Sequence, residues 1–320
     1  MPPSEFFLID RYFKRATHHT VLGAGDDAAI VRPSPGMDLL VSTDMLVAGT
    51  HFLPNADPAD LGWKVLAANV SDMAAMGAAP RWALLAAALP AATESWIAAF
   101  ARGFFACADE FGVDLIGGDT TKGPRKFSVT IFGEVPAGQS LLRSGAQPGD
   151  EIWVSGTPGL AALGLAHLQG RCILPEPART ACLAALHRPQ PRVVLGLALR
   201  GLATGAIDVS DGLLADLGHI LEESRVAAVV HDDRLPAAAL ATGADPALAR
   251  DCLLAGGDDY ELVFTAPAAR HAEIAALATP LRLALTCIGS IATGAPGTLE
   301  LLDGAGRALP VAHRGYDHFG

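Results

Sequence analysis

The sequence is poor in lysine, in positive charge and in long apolar runs, and each shortage excludes a class of protein. Only four of its 320 residues are lysine, and no Gly-Lys-Ser/Thr sequence occurs, which excludes a Walker-type phosphate loop. The formal net charge of -11 argues against a nucleic-acid partner that is bound through its phosphate groups. Apolar segments such as WALLAAALPAA are too short to span a bilayer and are interrupted by proline.

Cysteine is also scarce, and its spacing gives no disulfide framework. The five cysteines lie far apart and form no C-x-x-C pair. The N-terminal sequence MPPSEFFLIDRYFKR lacks the basic start, apolar run and cleavage site of a signal peptide. We therefore expect a reduced, cytoplasmic protein with neither a membrane nor a nucleic acid as partner.

The composition that remains is that of a well-packed globular protein with room for two domains. Hydrophobic residues make up 51% and charged residues 18% of the chain. A passage rich in Gly, Pro, Gln and Ser, PAGQSLLRSGAQPGD, separates two halves that both alternate strand-like and helix-like segments. This predicts an α/β (α+β) protein with domains over 1–138 and 139–320.

Local patterns predict several elements. Periodic apolar residues predict helices over 5–15, 60–77 and 94–111, the last one with Thr93 as its N-cap. SPGMD is typical of a hairpin turn between the apolar segments on either side of it. AIDVSDGLLADLGHILEES predicts a strand, a tight turn and a helix, with Ser210 or Asp211 at the helix N-terminus, where anions and their metals bind.

Aspartate recurs in glycine-bearing turns beside apolar strands. If these turns converge, their carboxylates with the hydroxyls of Ser42 and Thr43 form an oxygen-only ligand set, which favours Mg²⁺ over zinc. Several Mg²⁺ ions among carboxylates indicate phosphate chemistry. The candidate aspartates are Asp27, Asp44, Asp72, Asp119, Asp208 and Asp211.

The same residues also allow interpretations without a shared metal site. Each turn taken alone can be an ordinary turn, since Asp and Gly suit turns for backbone reasons. GAGDDA fits a dinucleotide loop, but its two aspartates would face the pyrophosphate. Asp72 lies among apolar helix neighbours and needs a partner, of which a metal is one. Arg143 is a candidate phosphate partner, with Lys64 and Lys122 as weaker ones.

An ordered series of motifs carries a resemblance to a known family. From Glu5 to Phe319 the chain resembles the thiamine-monophosphate kinases, in the superfamily of aminoimidazole ribonucleotide synthetase. The motifs are GAGDDAAIV, VSTDMLVAGTHF, WKVLAANVSDMAAMGAAP, LIGGDTTKGP, LLRSGAQPGD, HRPQPR, AIDVSDGLLADLGHIL, GGDDYELVFT and GYDHF.

The resemblance implies ATP-dependent conversion of thiamine phosphate to thiamine diphosphate, in a homodimer paired through the N-terminal domains. It implies metal ligation by the six aspartates with Ser42 and Thr43, and a substrate contact from His51. The positions that it implies for nucleotide binding are Gly118, Asp119, Arg143 and Ser210.

The chain departs from the family pattern in three places. Asp258 stands where the family often has Glu, and His313 where it often has Trp; both positions contact substrate in the family. G159-L-A-A-L-G-L replaces the usual G-D-S-A-A-G-L. These departures put substrate binding in question more than reaction type.

The implied reaction agrees with the residues. A phosphate monoester has a second pKa of about 6, so it reaches the enzyme mostly ionised and needs no general base. A site rich in Mg²⁺ ligands without a proton-transfer residue is then sufficient. Two alternatives are another ATP-using enzyme of the superfamily, such as selenophosphate synthetase or the hydrogenase-maturation dehydratase, and a non-catalytic nucleotide- or metal-binding regulator.

Overall fold

The computed structural model describes residues 5–311 and 313–316, with only the backbone described at Glu5. The described residues form two compact units. The first comprises the chain up to Met73 together with Ala78–Gly138, and the second comprises Ala74–Gly77 together with the chain from Gln139 onward. None of the described helices is long and apolar enough to cross a membrane.

The N-terminal unit is a four-stranded sheet with two long helices. The elements are α1 (Glu5–Leu8), a π-helical turn (Ile9–Phe13), β1 (Thr20–Leu22), β2 (Ile30–Val31), β3 (Met37–Val47), α2 (Pro58–Ala75), β4 (Ala79–Leu89), α3 (Glu94–Phe111), β5 (Asp114–Lys122) and β6 (Lys126–Pro136). The strand order is β3-β6-β4-β5, in which β4 and β5 are parallel and the other neighbours are antiparallel. A separate two-stranded ribbon pairs β1 with β2.

Close packing fixes α2 against its neighbours. Val65, Leu66 and Val70 have no exposed surface, because α2 is apolar on most of its faces. The backbones of α2 and α3 approach so closely that a Cβ at Gly62 would overlap the carbonyl oxygen of Phe100. Such a close crossing requires glycine, and it holds the polar residues of α2 in one position relative to the sheet.

The C-terminal unit is a seven-stranded sheet with helices. The elements are β7 (Asp150–Ser155), α4 (Leu160–Leu168), α5 (Ala178–His187), α6 (Val193–Ala198), β8 (Gly205–Val209), α7 (Leu213–Ser224), β9 (Ala227–His231), α8 (Pro246–Ala255), β10 (Glu261–Pro267), α9 (His271–Leu281), β11 (Leu285–Ala292), β12 (Leu299–Leu302) and β13 (Ala308–Leu309). The strand order is β13-β12-β9-β11-β7-β10-β8, all antiparallel except the parallel pair β9 and β12. Three 3₁₀ turns lie at Asp232–Arg234, Leu240–Thr242 and Ala268–Arg270.

Most elements predicted from local patterns are confirmed. The helices predicted over 60–77 and 94–111 are α2 and α3, and the predicted strand, turn and helix around Ser210 are β8 and α7. The helix predicted over 5–15 is shorter and partly π-helical. The last motif, GYDHF, ends outside the described residues.

One local prediction is confirmed in position only, and another is wrong. Thr93 is the N-cap residue of α3 and has extended backbone, but its side chain makes no capping hydrogen bond. SPGMD forms a turn, in which the Met37 N–H donates to the Ser34 carbonyl, yet the strands beside it do not pair. Instead β2 pairs with β1, and β3 pairs along its whole length with β6. Sequence-distant pairing therefore overrides the hairpin signal.

Candidate active site

The edge strand β3 and the helix α2 bring three of the predicted metal ligands together. Strand alternation puts Ser42 and Asp44 on the same, partly buried side of β3. Ser42 Oγ donates to Asp72 Oδ2 at 2.5 Å. One turn earlier on α2, the buried Asn69 accepts from the Asp44 N–H through Oδ1 at 3.2 Å. Two carboxylates and a hydroxyl therefore line one contact between strand and helix.

Thr43 faces the other side of β3. Its Oγ1 donates to the Val129 carbonyl at 3.0 Å and lies 3.1 Å from Thr130 Oγ1. The neighbours of Thr43 on that side, Val41 and Met45, are more than half exposed at 57% and 51%. The structure therefore does not bring the Thr43 hydroxyl to the ligands on the α2 side.

Gly118 and Asp119 lie on the opposite edge strand, β5, and both are exposed. Asp44 on β3 pairs with Val129 on β6, Val129 pairs with Leu85 on β4, and Leu85 pairs with Gly118 on β5. The backbones of Asp44 and Gly118 are therefore three strand spacings apart, or about 14 Å. Gly118 has φ +149°, and a Cβ there would overlap the Leu85 carbonyl oxygen, so the position requires glycine. Asp44 and Asp119 cannot bind the same ion from one sheet.

Asp27 and His51 lie in loops of the N-terminal unit. Asp27 is exposed, and its N–H donates to Asp26 Oδ1 at 3.1 Å. His51 accepts from the Val47 N–H through Nδ1 at 3.1 Å, which assigns the proton of a neutral ring to Nε2. His51 is thus held by the end of β3, the strand that carries Asp44.

In the C-terminal unit, a buried carboxylate organises the turn between β8 and α7. The Oδ2 atom of Asp216 accepts from three successive backbone N–H groups, at 3.0, 3.1 and 3.1 Å. Their donors are Ser210, Asp211 and Gly212. Burial raises the pKa of Asp216 to about 6 despite these hydrogen bonds. Asp208, at the end of β8, is also buried.

Sequence reasoning did not single out Asp216. A signal was present, because a carboxylate in the first turn of a helix can reach back to the N–H groups before it, as in a capping box. In SDGLLAD, Asp216 follows the N-cap Gly212 by four residues, which is one residue more than in a capping box. Asp216 holds the backbone of Ser210 and Asp211, because its Oδ2 atom accepts from their N–H groups.

The GGDDYE loop packs on the same turn. The Asp258 N–H donates to the Ser210 carbonyl at 2.9 Å, and the Tyr260 N–H donates to the Val209 carbonyl at 2.8 Å. The Tyr260 hydroxyl donates to Asp258 Oδ1 at 3.3 Å. Asp258 and Tyr260 both have positive φ, 69° and 53°. The loop thus presents the Asp258 carboxylate beside the predicted nucleotide residue Ser210.

The chain near the C-terminus reaches this turn from another direction. The Tyr316 N–H donates to the Asp211 carbonyl at 2.9 Å. Three residues earlier, His313 is exposed and pairs through Nε2 with Asp251 at 3.0 Å. The segment that carries His313 is therefore anchored at the turn that carries Asp211.

Two further carboxylates of the GGDDYE loop have structural partners. Asp259 accepts from the Gly159 and Ala161 N–H groups, at 2.6 and 3.3 Å, and so caps α4. Burial and the neighbouring carboxylates raise the pKa of Asp259 well above its usual value. Glu261 forms a bidentate pair with Arg192 of the HRPQPR motif, at 2.6 and 2.5 Å.

Arg143 does not join the group around Ser210. The segment before it lies beside the start of β8, where the Ala206 N–H donates to the Leu142 carbonyl at 2.9 Å. The Arg143 carbonyl accepts from Ser224 Oγ at the C-terminal end of α7. Ser210 follows the far end of β8, about 17 Å away by strand rise. In one chain, Arg143 and Ser210 cannot contact the same phosphate group.

Comparison with known proteins gives the relationships of both units. Residues 25–135 match the family model of AIR synthase related protein, N-terminal domain, and residues 147–301 match that of the C-terminal domain. The predicted α/β two-domain fold of the aminoimidazole ribonucleotide synthetase type is therefore confirmed.

Full-length relatives are more specific. The chain is 45% identical over 326 residues to the thiamine-monophosphate kinase of Salmonella typhimurium, covering 100% of this chain and 99% of that protein. It is 44% identical over 324 residues to the thiamine-monophosphate kinase of Escherichia coli K12, with the same coverage.

Solved structures agree with these relatives. The thiamine-monophosphate kinase of Stenotrophomonas maltophilia is 48% identical with a TM-score of 0.85, covering 96% of this chain and 98% of that one. Hydrogenase maturation protein HypE, at 20% identity and a TM-score of 0.75, shares the fold alone. The order of motifs, the two matched domains and the full-length identity agree, and the chain belongs to the thiamine-monophosphate kinase family.

Proposed function

We propose that this protein transfers the γ-phosphoryl group of ATP to thiamine monophosphate, giving thiamine diphosphate and ADP. The observation that carries the proposal is the identity of 44–45% over the full length of relatives that are thiamine-monophosphate kinases. A structural relative, 30% identical over 98% of this chain, was solved in complex with AMPPCP and TMP. Those ligands correspond to an analogue of ATP and to the phosphorylated acceptor.

We infer that Mg²⁺ ions assist the transfer. The donors at the contact between β3 and α2 are hydroxyl and carboxylate oxygens, the hard ligands that Mg²⁺ prefers. The proposed ligands are Asp27, Ser42, Thr43, Asp44, Asp72, Asp119, Asp208 and Asp211. Thr43, whose hydroxyl faces the other side of β3, serves a different ion from Ser42. Since Asp44 and Asp119 are about 14 Å apart in one sheet, they serve different ions or act in different protomers. Bound Mg²⁺ would neutralise charge on the phosphoryl groups.

The chain's own residues bind and position the reactants. The acceptor is already ionised near neutral pH, so no catalytic base is proposed. Asp216 holds the turn that carries Ser210, the proposed nucleotide contact, and Asp211, the proposed metal ligand. Gly118, Asp119, Arg143 and Ser210 are proposed to contact ATP. Because Arg143 lies far from Ser210 along β8, the two bind different parts of the nucleotide or act in different protomers.

Three residues are proposed to bind thiamine phosphate. Thiamine carries a permanent positive charge on its thiazolium ring, which the Asp258 carboxylate can attract. His313 offers a flat ring for packing, although with less area than the tryptophan common in the family. His51 offers the Nε2–H donor of a neutral ring.

We propose that two copies pair through the N-terminal unit. Strand β3 exposes Leu39, Val41 and Met45 on one side, at 40%, 57% and 51%. Apolar residues in a row on one face of an edge strand mark an interaction surface. All five cysteines are free thiols, which suits a reducing compartment, and we place the protein in the cytoplasm.

A coupled ADP-release assay tests the proposed reaction. We expect ADP to form with ATP, Mg²⁺ and thiamine monophosphate, and little to form with thiamine or buffer in place of the acceptor. ADP release without thiamine monophosphate would favour another ATP-using enzyme of this fold. Nucleotide binding without turnover under any of these conditions would favour a regulator.

A further inference from the structure

The seven-stranded sheet carries a second group of potential metal ligands, with different chemistry from the aspartates. Glu151 lies on β7, His271 begins α9, and Cys287 lies on β11. One potential ligand atom from each residue lies within 4.8 Å of the other two. The set thus offers oxygen, nitrogen and sulfur at one place.

Strand pairing explains why these residues meet. Glu151 and Trp153 are two residues apart on β7 and so face the same side of the sheet. Cys287 pairs with Trp153 across β7 and β11, and a β-bulge follows between Cys287 and Gly289. Bulges redirect side chains. His271 comes from the turn after β10, which is the other neighbour of β7.

Hydrogen bonds and ring packing hold the group in position. His271 Nδ1 lies 2.9 and 3.0 Å from the two carboxylate oxygens of Glu151. Trp153 Nε1 donates to Glu151 Oε2 at 3.1 Å. The rings of Trp153 and His271 pack with centroids 4.9 Å apart. Trp153 is buried and therefore acts as a fixed support beneath both residues.

We propose that Glu151, His271 and Cys287 bind one zinc-class divalent transition metal ion, with solvent as the remaining ligand. Imidazole nitrogen and thiolate sulfur select zinc-like ions over Mg²⁺. In a tetrahedral site, ligand atoms are about 3.3–3.7 Å apart, so small side-chain rotations suffice. The Trp153 N–H orients the carboxylate in the way that outer partners orient metal ligands.

The surroundings allow an ion to enter and a proton to leave. The His271 side chain is 53% exposed and the Glu151 side chain 22%. Cys287 is partly buried, and its thiol donates to the Gly289 carbonyl at 3.8 Å. Metal binding exchanges the thiol proton for the ion, so about one proton is released from Cys287 per ion bound.

Metal binding to the full-length protein tests the site, with Mg²⁺ present throughout to occupy the carboxylates. Zn²⁺ binding is measured by equilibrium dialysis, and Co²⁺ is used as a spectroscopic probe of sulfur ligation. We expect one tight Zn²⁺ per chain and a thiolate-to-cobalt charge-transfer band. Cys287→Ser should abolish the band and His271→Ala should weaken Zn²⁺ binding by at least about tenfold. Trp153→Phe, which keeps a buried ring, should weaken it by about tenfold.

Matched controls separate the site from adventitious binding. Cys172→Ser changes another partly buried free thiol, and His219→Ala changes a histidine that is 50% exposed on α7. Neither should alter the stoichiometry or the cobalt band. If a control variant lost as much Zn²⁺ binding or as much of the cobalt band as its matched site variant, the proposal would be overturned.

Thiol labelling of the unaltered protein keeps the proposal testable if variants fold poorly. Zn²⁺ should slow modification of Cys287, read by peptide mass, and leave the rate at Cys172 unchanged. Unslowed labelling of Cys287 at saturating Zn²⁺ would also overturn the proposal. Neither readout depends on kinase activity, so the result is independent of the proposed function.

Discussion

Ser42 and Asp72 join the edge strand β3 to the helix α2 through a hydrogen bond of 2.5 Å from Oγ to Oδ2. The bond gives a helix carboxylate a partner, which offsets the cost of placing Asp72 among apolar neighbours. It also orients one carboxylate oxygen towards the strand that carries Asp44. Two of the proposed metal ligands are therefore held against each other at the contact between β3 and α2.

Asp44→Asn should abolish phosphoryl transfer while the protein stays folded. Asp44 lies on the same side of β3 as Ser42, which contacts Asp72, and Asn removes the charge of Asp44 without changing its shape. Thermal stability without Mg²⁺ should be unchanged or higher, because carboxylate repulsion is relieved. Turnover and melting temperature are measured for Asp44→Asn and for Asp38→Asn on the same strand, which should keep activity. Near-normal turnover of Asp44→Asn at saturating Mg²⁺ would contradict the assignment.

Asp216→Ala should lower both stability and kcat, because three backbone N–H groups lose their buried acceptor. Each unsatisfied buried group costs about 1–3 kcal/mol. Asp216→Asn keeps an oxygen acceptor and should retain more of both properties. Glu222→Ala, on the exposed side of α7, is the matched control. A stable and fully active Asp216→Ala variant would show that the turn needs no such support.

Asp258→Glu combined with His313→Trp should lower KM for thiamine monophosphate more than it changes kcat. The longer carboxylate reaches further towards the thiazolium, and the indole restores stacking area. Steady-state kinetics of both single variants and the double variant measure this. An unaltered KM or a sharp loss of kcat in the double variant would mean that these positions do not bind the substrate.

The protein should be a homodimer at micromolar concentration, and light scattering should give twice the chain mass of 33.0 kDa. Val41→Glu places a charge on the exposed face of β3 and should shift the population to monomer. Ile173→Glu, at a residue 86% exposed in the C-terminal unit, should leave the dimer intact. A 33.0 kDa monomer for the unaltered protein would exclude the proposed pairing.

Asp114 should contribute stability that is lost in acid. Burial opposes ionisation, but hydrogen bonds from the His18 and His19 N–H groups and from Thr20 Oγ1 outweigh it and lower the pKa of Asp114. A pKa lower in the folded state means that the ionised form stabilises the fold above the unfolded value of about 3.9. That contribution disappears as the pH falls through the folded value.

Chemical denaturation of Asp114→Asn measures this contribution. The variant should be less stable than the unaltered protein at pH 7 by about 1–3 kcal/mol. The difference should shrink as the pH falls below about 3.9, through the range in which the folded carboxylate also becomes protonated. Asp109→Asn, in an exposed ion pair with Arg15, is the control and should show little pH-dependent difference. A constant difference across the pH range would contradict the pKa argument.

Much of the fold could be predicted because its signals are local. The apolar periodicity of α2 and α3 and the strand-turn-helix pattern around Ser210 depend on neighbouring residues. The pairing of β3 with β6 depends on residues about 90 positions apart, and no local pattern specifies it. SPGMD forms a turn, but the strands on either side of it, β2 and β3, pair with β1 and β6 and not with each other.

The proposed site could be predicted as a list of residues and not as an arrangement. The spacing of Ser42, Thr43 and Asp44 does not reveal that alternation sends Thr43 to the other side of the sheet. Likewise, Asp119 is placed far from Asp44 only by strand order. The sequence did not single out Asp216, because its side chain accepts hydrogen bonds from backbone N–H groups and belongs to no ligand pattern.

The left-handed backbone at Asp258 gives the family difference at this position a second meaning. Aspartate occupies positive φ more readily than glutamate, because its short side chain can bond locally. A chain with Asp in place of Glu at this position adopts the positive φ with less backbone strain, but its carboxylate reaches one methylene less far. In a saturation library of position 258, selection for expression alone should enrich Gly, Asn and Asp, whereas selection for growth at scarce substrate should enrich Glu.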